Sequence, residues 1–291
     1  MRSPRRLAWL LLLTGLAVGT LLDSVSRRPD VREGEFRVLS GDFHVHAFPG
    51  DGALAAWSLR RQAQHSGLDV FALTNHNQTL AARLGRRLAG SSDGPILIVG
   101  EEITNPGFHL IAVGIEHPIE WDRPAAELID AVHAQGGVAI AGHPARAYWD
   151  GWDDRALGRL DGVEVAHPSR HLDSDVAQAF DAFYDRARRQ NPDVAAIGSS
   201  DFHATPSLGM CRTYVFAREH SQAGVLDAIR HGRTVAEDAD GRLHGDPALV
   251  RLVESQRPAG SSDLHPAWRL FAVTCAWIGL LGLVVLGRGE R

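Results

Sequence analysis

"GDFHVHAFPGDG", Gly41 to Gly52, sets two histidines one residue apart on an apolar run that leads into a glycine-rich turn. On a strand, residues two apart point to the same face, so His44 and His46 can reach a common partner. Asp51 follows within the turn. Taken alone, two surface histidines on an edge strand explain the pair as well as a site does. The recurrence of the same chemistry along the chain decides between them. "TNHN" puts His76 just after an apolar run, and "GEEIT" ends another with Glu101 and Glu102. His109 opens the next, "AGHP" ends one with His143, and "SSDFH" repeats the spacing with Asp201 and His203.

Those runs read as strands at 41–46, 69–75, 95–102, 109–115, 137–143, 162–167 and 194–201. They are apolar without alternation, as strands buried on both faces are. Helical patterns lie between most of them, at 53–66, 80–89, 125–135 and 176–189. Such alternation predicts a barrel or a doubly wound sheet. One connection differs. "ITNPGF" between Glu102 and His109 is too short for a crossover helix and carries a turn signal, so an antiparallel hairpin is expected there, with Glu102 facing His109. Nearly every strand ends in a His, Asp or Glu, and in α/β barrels the C-terminal rim is where function is built. Burying so many titratable groups without a partner is costly, which points to divalent metal. Nitrogen and oxygen donors suit Zn, Mn or Fe.

The bulk properties narrow the partners. The chain has 291 residues and a net charge of −5, which argues against a broad nucleic-acid face, and no stable nucleic-acid partner is expected. All 30 basic residues are arginines, so an anionic substrate must be held by Arg, metal or backbone amides. Cys211 and Cys275 cannot build a metal site, and Cys275 lies in an apolar tail, so no internal disulfide is expected.

Two apolar segments frame the chain. Leu7–Leu22 follows an Arg-rich head and reads as a signal peptide or an uncleaved anchor. Leu270–Gly287 carries no charge and reads as a transmembrane helix. The flanking arginines put both ends in the cytoplasm and the middle on the extracytoplasmic side. The expected plan is a leader or anchor over 1–28, a catalytic domain over 36–240, a linker over 241–267 and a membrane helix over 268–288.

The order of motifs resembles the PHP (polymerase and histidinol phosphatase) superfamily of metal-dependent phosphoesterases. The matching pieces are "DFHVH", "GDG", "TNHN", "GEEIT", "FHL", "GHP", "GVEV" and "SDFH" followed by "SLG", across roughly residues 40–236. The resemblance implies a distorted (β/α)7 barrel with two or three divalent ions at its C-terminal rim. It implies one ion held by His44, His46, Glu102 and Asp201, a second by Glu102, His109 and His143, and a third by Asp51, His76 and His203. Asp42 would orient a histidine from behind. Three departures stand out: Asn75 where the family has Asp, Gly50 where it has Ser, and His167 where Asn is frequent.

The resemblance further implies hydrolysis of a small phosphomonoester or phosphodiester by a metal-bridging hydroxide, held by Glu102, Asp201 and His143. Two ions about 3.5–4 Å apart lower the pKa of such a hydroxide. Arg146, Arg170 and His167 are candidate substrate-binding residues, Arg212 a weaker one, and His167 could instead serve as a general acid or be a bystander on the rim. "AGVLDAIRHGRTV" resembles the helix that closes the barrel. Two other readings compete: a carbamate or ester metallohydrolase using the same site, and a non-catalytic metal-binding membrane protein.

Overall fold

The computed structural model describes residues 4–22, 32–88, 94–171, 173–256 and 265–288, which fall into two units: the two terminal segments (1–26 and 257–291), and residues 27–256 between them.

The larger unit opens with the short β1 (Arg32–Glu33) and the long β2 (Phe36–Val45). There follow α2 (Ala56–His65), β3 (Val70–Leu73), α3 (Leu80–Leu88), β4 (Ile96–Asn105) and β5 (Phe108–Val113). Next come α4 (Ala125–Ala134), β6 (Val138–Ala141), the one-turn α5 (Asp154–Leu157), β7 (Gly162–Ala166), α6 (Ser174–Gln190) and β8 (Ala195–Gly198). The unit ends with β9 (Arg212–Ala217), α7 (Gln222–Arg230), β10 (Thr234–Glu237), β11 (Leu243–Gly245) and α8 (Pro247–Gln256). The terminal helices are α1 (Pro4–Leu22) and α9 (His265–Arg288).

The strands form one sheet in the order β11-β10-β9-β2-β3-β4-β5-β6-β7-β8, with β1 beside β2. β2 through β8 match the seven strands expected from the sequence. They pair in parallel except at β4–β5 and β5–β6. The hairpin after Glu102 is present, but its register sets Glu102 opposite Ile111 and Thr104 opposite His109.

The sheet curls back on itself without a final ladder. Phe202, just past β8, forms a bridge with Val45 at the end of β2. Lower down, threonine hydroxyls do the joining. Thr213 Oγ1 takes the Gly198 N–H at 2.9 Å, and Thr234 Oγ1 donates to the Ala196 carbonyl at 2.8 Å. Gly198 allows this approach, since a Cβ there would lie 2.3 Å from the Arg212 carbonyl oxygen.

Both faces of the strands are buried, as unalternating apolar runs require. Val70, Ala72, Ile98, Val138, Ile140, Ala195 and Ile197 share one cluster with Val225, Leu226 and Ile229 of α7. Their neighbours Phe71, Leu73, Leu97 and Val99 pack on α2 and α3. Helix α7 therefore closes the barrel, and Ser221 caps it by accepting the Gly224 N–H. The stretch expected as a linker is in part folded: β11 pairs with β10, and α8 lays Leu249, Val250 and Leu252 against Phe216 and Val235. Residues 257–264 of that stretch, and 23–28 of the expected leader, lie outside the described residues.

In the smaller unit α1 and α9 run antiparallel with their backbones in close contact. A Cβ on Gly15 would lie 2.5 Å from the Ala272 carbonyl oxygen, and one on Gly279 would lie 2.4 Å from the Leu12 nitrogen. The expected transmembrane helix is not supported here: among the described residues no helix is long and apolar enough to cross a membrane.

Candidate metal centre

β2 carries His44 near its end and His46 one residue beyond it, both fully buried. His44 Nε2 lies 3.2 Å from Glu102 Oε2 and 3.3 Å from Asp201 Oδ1. His46 Nε2 lies 3.4 Å and 3.3 Å from the same two oxygens. All four atoms are buried and none has a hydrogen-bond partner. A tetrahedral ion with N/O donors at about 2.0–2.1 Å has donor–donor edges of about 3.3–3.4 Å. Four of the six separations among these atoms thus match such edges, and the residues present fit a divalent cation.

Two further groups adjoin this one. Glu102 turns its other oxygen, Oε1, to His109 Nδ1 at 2.6 Å and His143 Nε2 at 3.1 Å. These two imidazole nitrogens are 3.2 Å apart. Glu102 therefore bridges, one oxygen to each group. Asp51 gathers the outer group, with Oδ2 at 3.2 Å from His76 Nε2 and 3.0 Å from His203 Nε2. Its Oδ1 is 3.1 Å from His46 Nδ1, which ties the outer group to the inner. All nine ligand candidates read from the sequence fall in four overlapping groups, with His46 also beside the outer group and Asp201 grouped with His44 and His143.

The electrostatics are mutual. Burial disfavours charge on His44, but Asp201, Glu102 and Glu164 outweigh it and raise its pKa well above the ordinary value. Burial likewise opposes ionisation of Glu102, yet His44 and the bonds from His109 and His143 hold it well below the usual carboxylate range. Asp201 is lowered against its burial by His44, His167 and His46. Two ligand residues also carry backbone strain: His143 has φ 22° and Asp201 φ 49°, in the left-handed region that non-glycine residues avoid.

Several supporting groups were not assigned roles from the sequence. Glu164 of β7 is fully buried, meets His44 Nδ1 at 3.1 Å and accepts the His143 backbone N–H at 2.5 Å. It steadies two ligands from behind, as carboxylates beside metal-bound histidines do. "GVEV" at a strand end was the available signal. Thr104 Oγ1 sits 2.6 Å from His76 Nδ1, and the Tyr148 ring lies tilted at 4.8 Å from His109, neither with a sequence signature. Glu101, next to Glu102, points the other way: it accepts the Ile119 N–H, and burial pushes its pKa up to about 7.

Other expectations need correction. Asp42 meets no imidazole, although it accepts the His44 backbone N–H at 3.4 Å. Its carboxylate accepts from Ser200 Oγ at 2.6 Å, the Ser200 N–H at 3.1 Å and the Gly209 N–H at 2.9 Å, pinning the loop that bears Asp201 and His203. Asn75, one of the three departures, accepts the Ala47 N–H and donates to the Ala47 carbonyl, so it clamps backbone. Gly50 is the other side of that clamp: a Cβ there would lie 1.9 Å from Asn75 Nδ2. The two departures from the family motif meet each other. Arg170 is held on α6 by Asp181 at 2.9 Å and the Ala177 carbonyl, Arg146 stacks 4.0 Å over Trp149, and Arg212 donates to the Gly209 carbonyl. None of the three meets a cluster residue in these contacts.

Comparison with known proteins agrees with the motif order. A family model described as PHP-associated matches residues 187–234. The structure is similar to a two-domain protein containing a predicted PHP-like metal-dependent phosphoesterase from Bacteroides vulgatus ATCC 8482, with a TM-score of 0.59 and 22% identity. That likeness covers 82% of this chain and 78% of the other. The family match covers one segment of the chain, and the structural likeness shows a shared fold. The chain is also 28% identical over 141 residues to the uncharacterized protein MJ1587 of Methanocaldococcus jannaschii, covering 44% of this chain and 81% of that one.

Proposed function

We propose that this PHP-type protein is a metal-dependent hydrolase of small phosphate esters. The observation that carries the reading is the convergence of four buried, unpartnered atoms, from His44, His46, Glu102 and Asp201, at coordination-shell spacing. The phosphoesterase named for the structurally similar Bacteroides protein supports the reaction class.

Divalent ions bound there would supply Lewis acidity to phosphoryl oxygens and lower the pKa of water. The chain's own residues do the rest. Glu102, with one oxygen beside His44 and the other beside His109, would help to hold ions in both groups, and Glu164 fixes the tautomer and direction of His44. Asp42 holds the 200–209 loop so that Asp201 closes the inner group. Asn75 and Gln78, both neutral, hold the turn that carries Asp51, at Ala47 and Pro49.

Attachment to a membrane, with the barrel on the extracytoplasmic side, belongs to the same proposal. It is supported by the bare apolar residues of the terminal pair, among them Leu10, Leu13, Leu270, Trp277, Leu281 and Val285, each more than half exposed. A surface of that kind seeks lipid or protein cover. Fractionation of cells producing the full chain, with protease added to intact cells, tests both location and side.

The reaction is tested with full-length protein loaded separately with Zn, Mn or Fe. Metal content is measured beside turnover of a nitrophenyl phosphate, a bis-nitrophenyl phosphate and a naphthyl carbamate. Metal-dependent release from either phosphate supports the proposal. Release from the carbamate alone replaces it with an ester or carbamate hydrolase, and bound metal without turnover of any replaces it with a non-catalytic metal binder.

A further inference from the structure

His167 belongs to none of the ligand groups, yet its place is built. It directly follows β7 and is only 6% exposed. Its ring stands 5.3 Å from that of His143 and 6.5 Å from that of His44, with Phe180 at 6.0 Å. The backbone N–H of Ser169 donates to His167 Nδ1 at 3.1 Å, and the Ser169 hydroxyl lies 2.8 Å from the same nitrogen.

That local turn decides the chemistry of the other nitrogen. A ring nitrogen that accepts a backbone N–H carries no proton, so the neutral ring has its hydrogen on Nε2. The Nε2 atom is buried and has no hydrogen-bond partner. Its nearest carboxylate atom is Asp201 Oδ2, at 3.4 Å, while the other oxygen of Asp201 is the one that faces His44 and His46. A nitrogen in this state has no lone pair to lend an ion. It offers a hydrogen, beside the ion positions, to an acceptor that no protein group supplies at bonding distance.

We infer that His167 is a substrate-positioning residue whose Nε2–H donates to an anionic, non-bridging oxygen of the phosphoryl group bound next to Asp201. The inference rests on the phosphoesterase reading and deepens it. It gives the site a fixed, uncharged donor in a chain whose nearby arginines are engaged elsewhere. The side chain reaches the substrate oxygen without joining the coordination shell, and Phe180 and Ser169 keep the ring from turning its other nitrogen inward.

The test uses the full-length, metal-loaded protein and inorganic phosphate as the probe. His167→Ala and His167→Asn are compared with wild type and with His143→Ala. Three quantities are read: metal per chain, the inhibition constant of phosphate, and KM against kcat for a nitrophenyl phosphate. The expected result is unchanged metal content in both His167 variants. Phosphate binding weakens by about 10- to 100-fold in His167→Ala, the size of one hydrogen bond to a charged group, and KM rises with it. His167→Asn, which restores an N–H donor, recovers part of the loss. Metal loss in His167→Ala matching that of His143→Ala overturns the inference and makes His167 a ligand. Full metal with wild-type phosphate binding and KM overturns it as well. If the wild type itself, fully loaded, neither binds phosphate nor turns over a phosphate ester, the underlying reading fails first and the inference falls with it. Thermal melting accompanies each variant, and His167→Asn carries the test should His167→Ala fail to fold.

Discussion

The inner and outer ligand groups use the same side chains under different conditions. His44, His46 and Glu102 are at most 1% exposed and Asp201 is 24%, whereas Asp51, His76 and His203 are 41%, 38% and 33% exposed. Burial makes the inner donors costly to leave unpaired, and solvent relieves the outer ones. The inner group should therefore hold its ion tightly and be damaged by its loss, while the outer group exchanges with solution.

The largest effect should come from Asp201→Ala. It removes an oxygen from the inner shell, and turnover should fall by about 10³-fold or more, with metal per chain reduced in mass spectrometry. His203→Ala should instead lose only the outer ion under dialysis and keep measurable turnover. Equal losses in the two variants would erase the distinction between the groups.

Next in size is Glu164→Gln, which touches no ion position. It leaves His44 and the His143 backbone without their anionic acceptor, and metal affinity should drop by about 10- to 100-fold, as read by competition with a chelating dye. An unchanged affinity would mean that the inner histidines are held by packing alone.

The metal-free protein offers a pH test of the inner group. The pKa of His44 is raised in the folded state, so its contribution to stability is complete below about pH 6.5 and fades as pH climbs through the raised value. Glu102 and Asp201 are lowered, so theirs is present above about pH 4 and fades as pH falls through their depressed values. Ions need imidazoles without the extra proton, so loading should remove the alkaline loss. Tm followed from pH 6 to 10 should decline without metal and hold with it. Parallel curves would contradict the coupling.

The smallest effect concerns the turn beneath Asp51. Gly50→Ser should cost about 1–2 kcal/mol by colliding with Asn75, and it should loosen the outer ion more than the inner. Adding Asn75→Ala should give back part of the loss, because the two residues touch.

Much of this was legible in the sequence because rim chemistry leaves local marks. Histidines two apart, and His or Asp at the ends of apolar runs, report the strand and the face in a few letters. The hairpin at Asn105–Phe108 was announced by its Pro-Gly turn, although its register was not. Glu164 stayed hidden because a buried carboxylate behind a ligand reads like any acid on a strand. The clamp made by Asn75 stayed hidden since its partners, the main-chain atoms of Ala47, have no letter of their own. β9, β10 and β11 were missed because their pairing depends on how the barrel closes, a contact across long stretches of chain.

That closure carries a mechanical consequence. On the side of β8 away from β7, where a full ladder would close the barrel, the described residues make one bridge and a few side-chain bonds. Directly above, Asp201 and His203 lean from the β8 end toward the His44 and His46 rings of β2. An ion in the inner group would rivet the two lips of this slit together. Amide hydrogen exchange along 195–202 would then report occupancy, slow when the rivet is in place and fast when it is withdrawn.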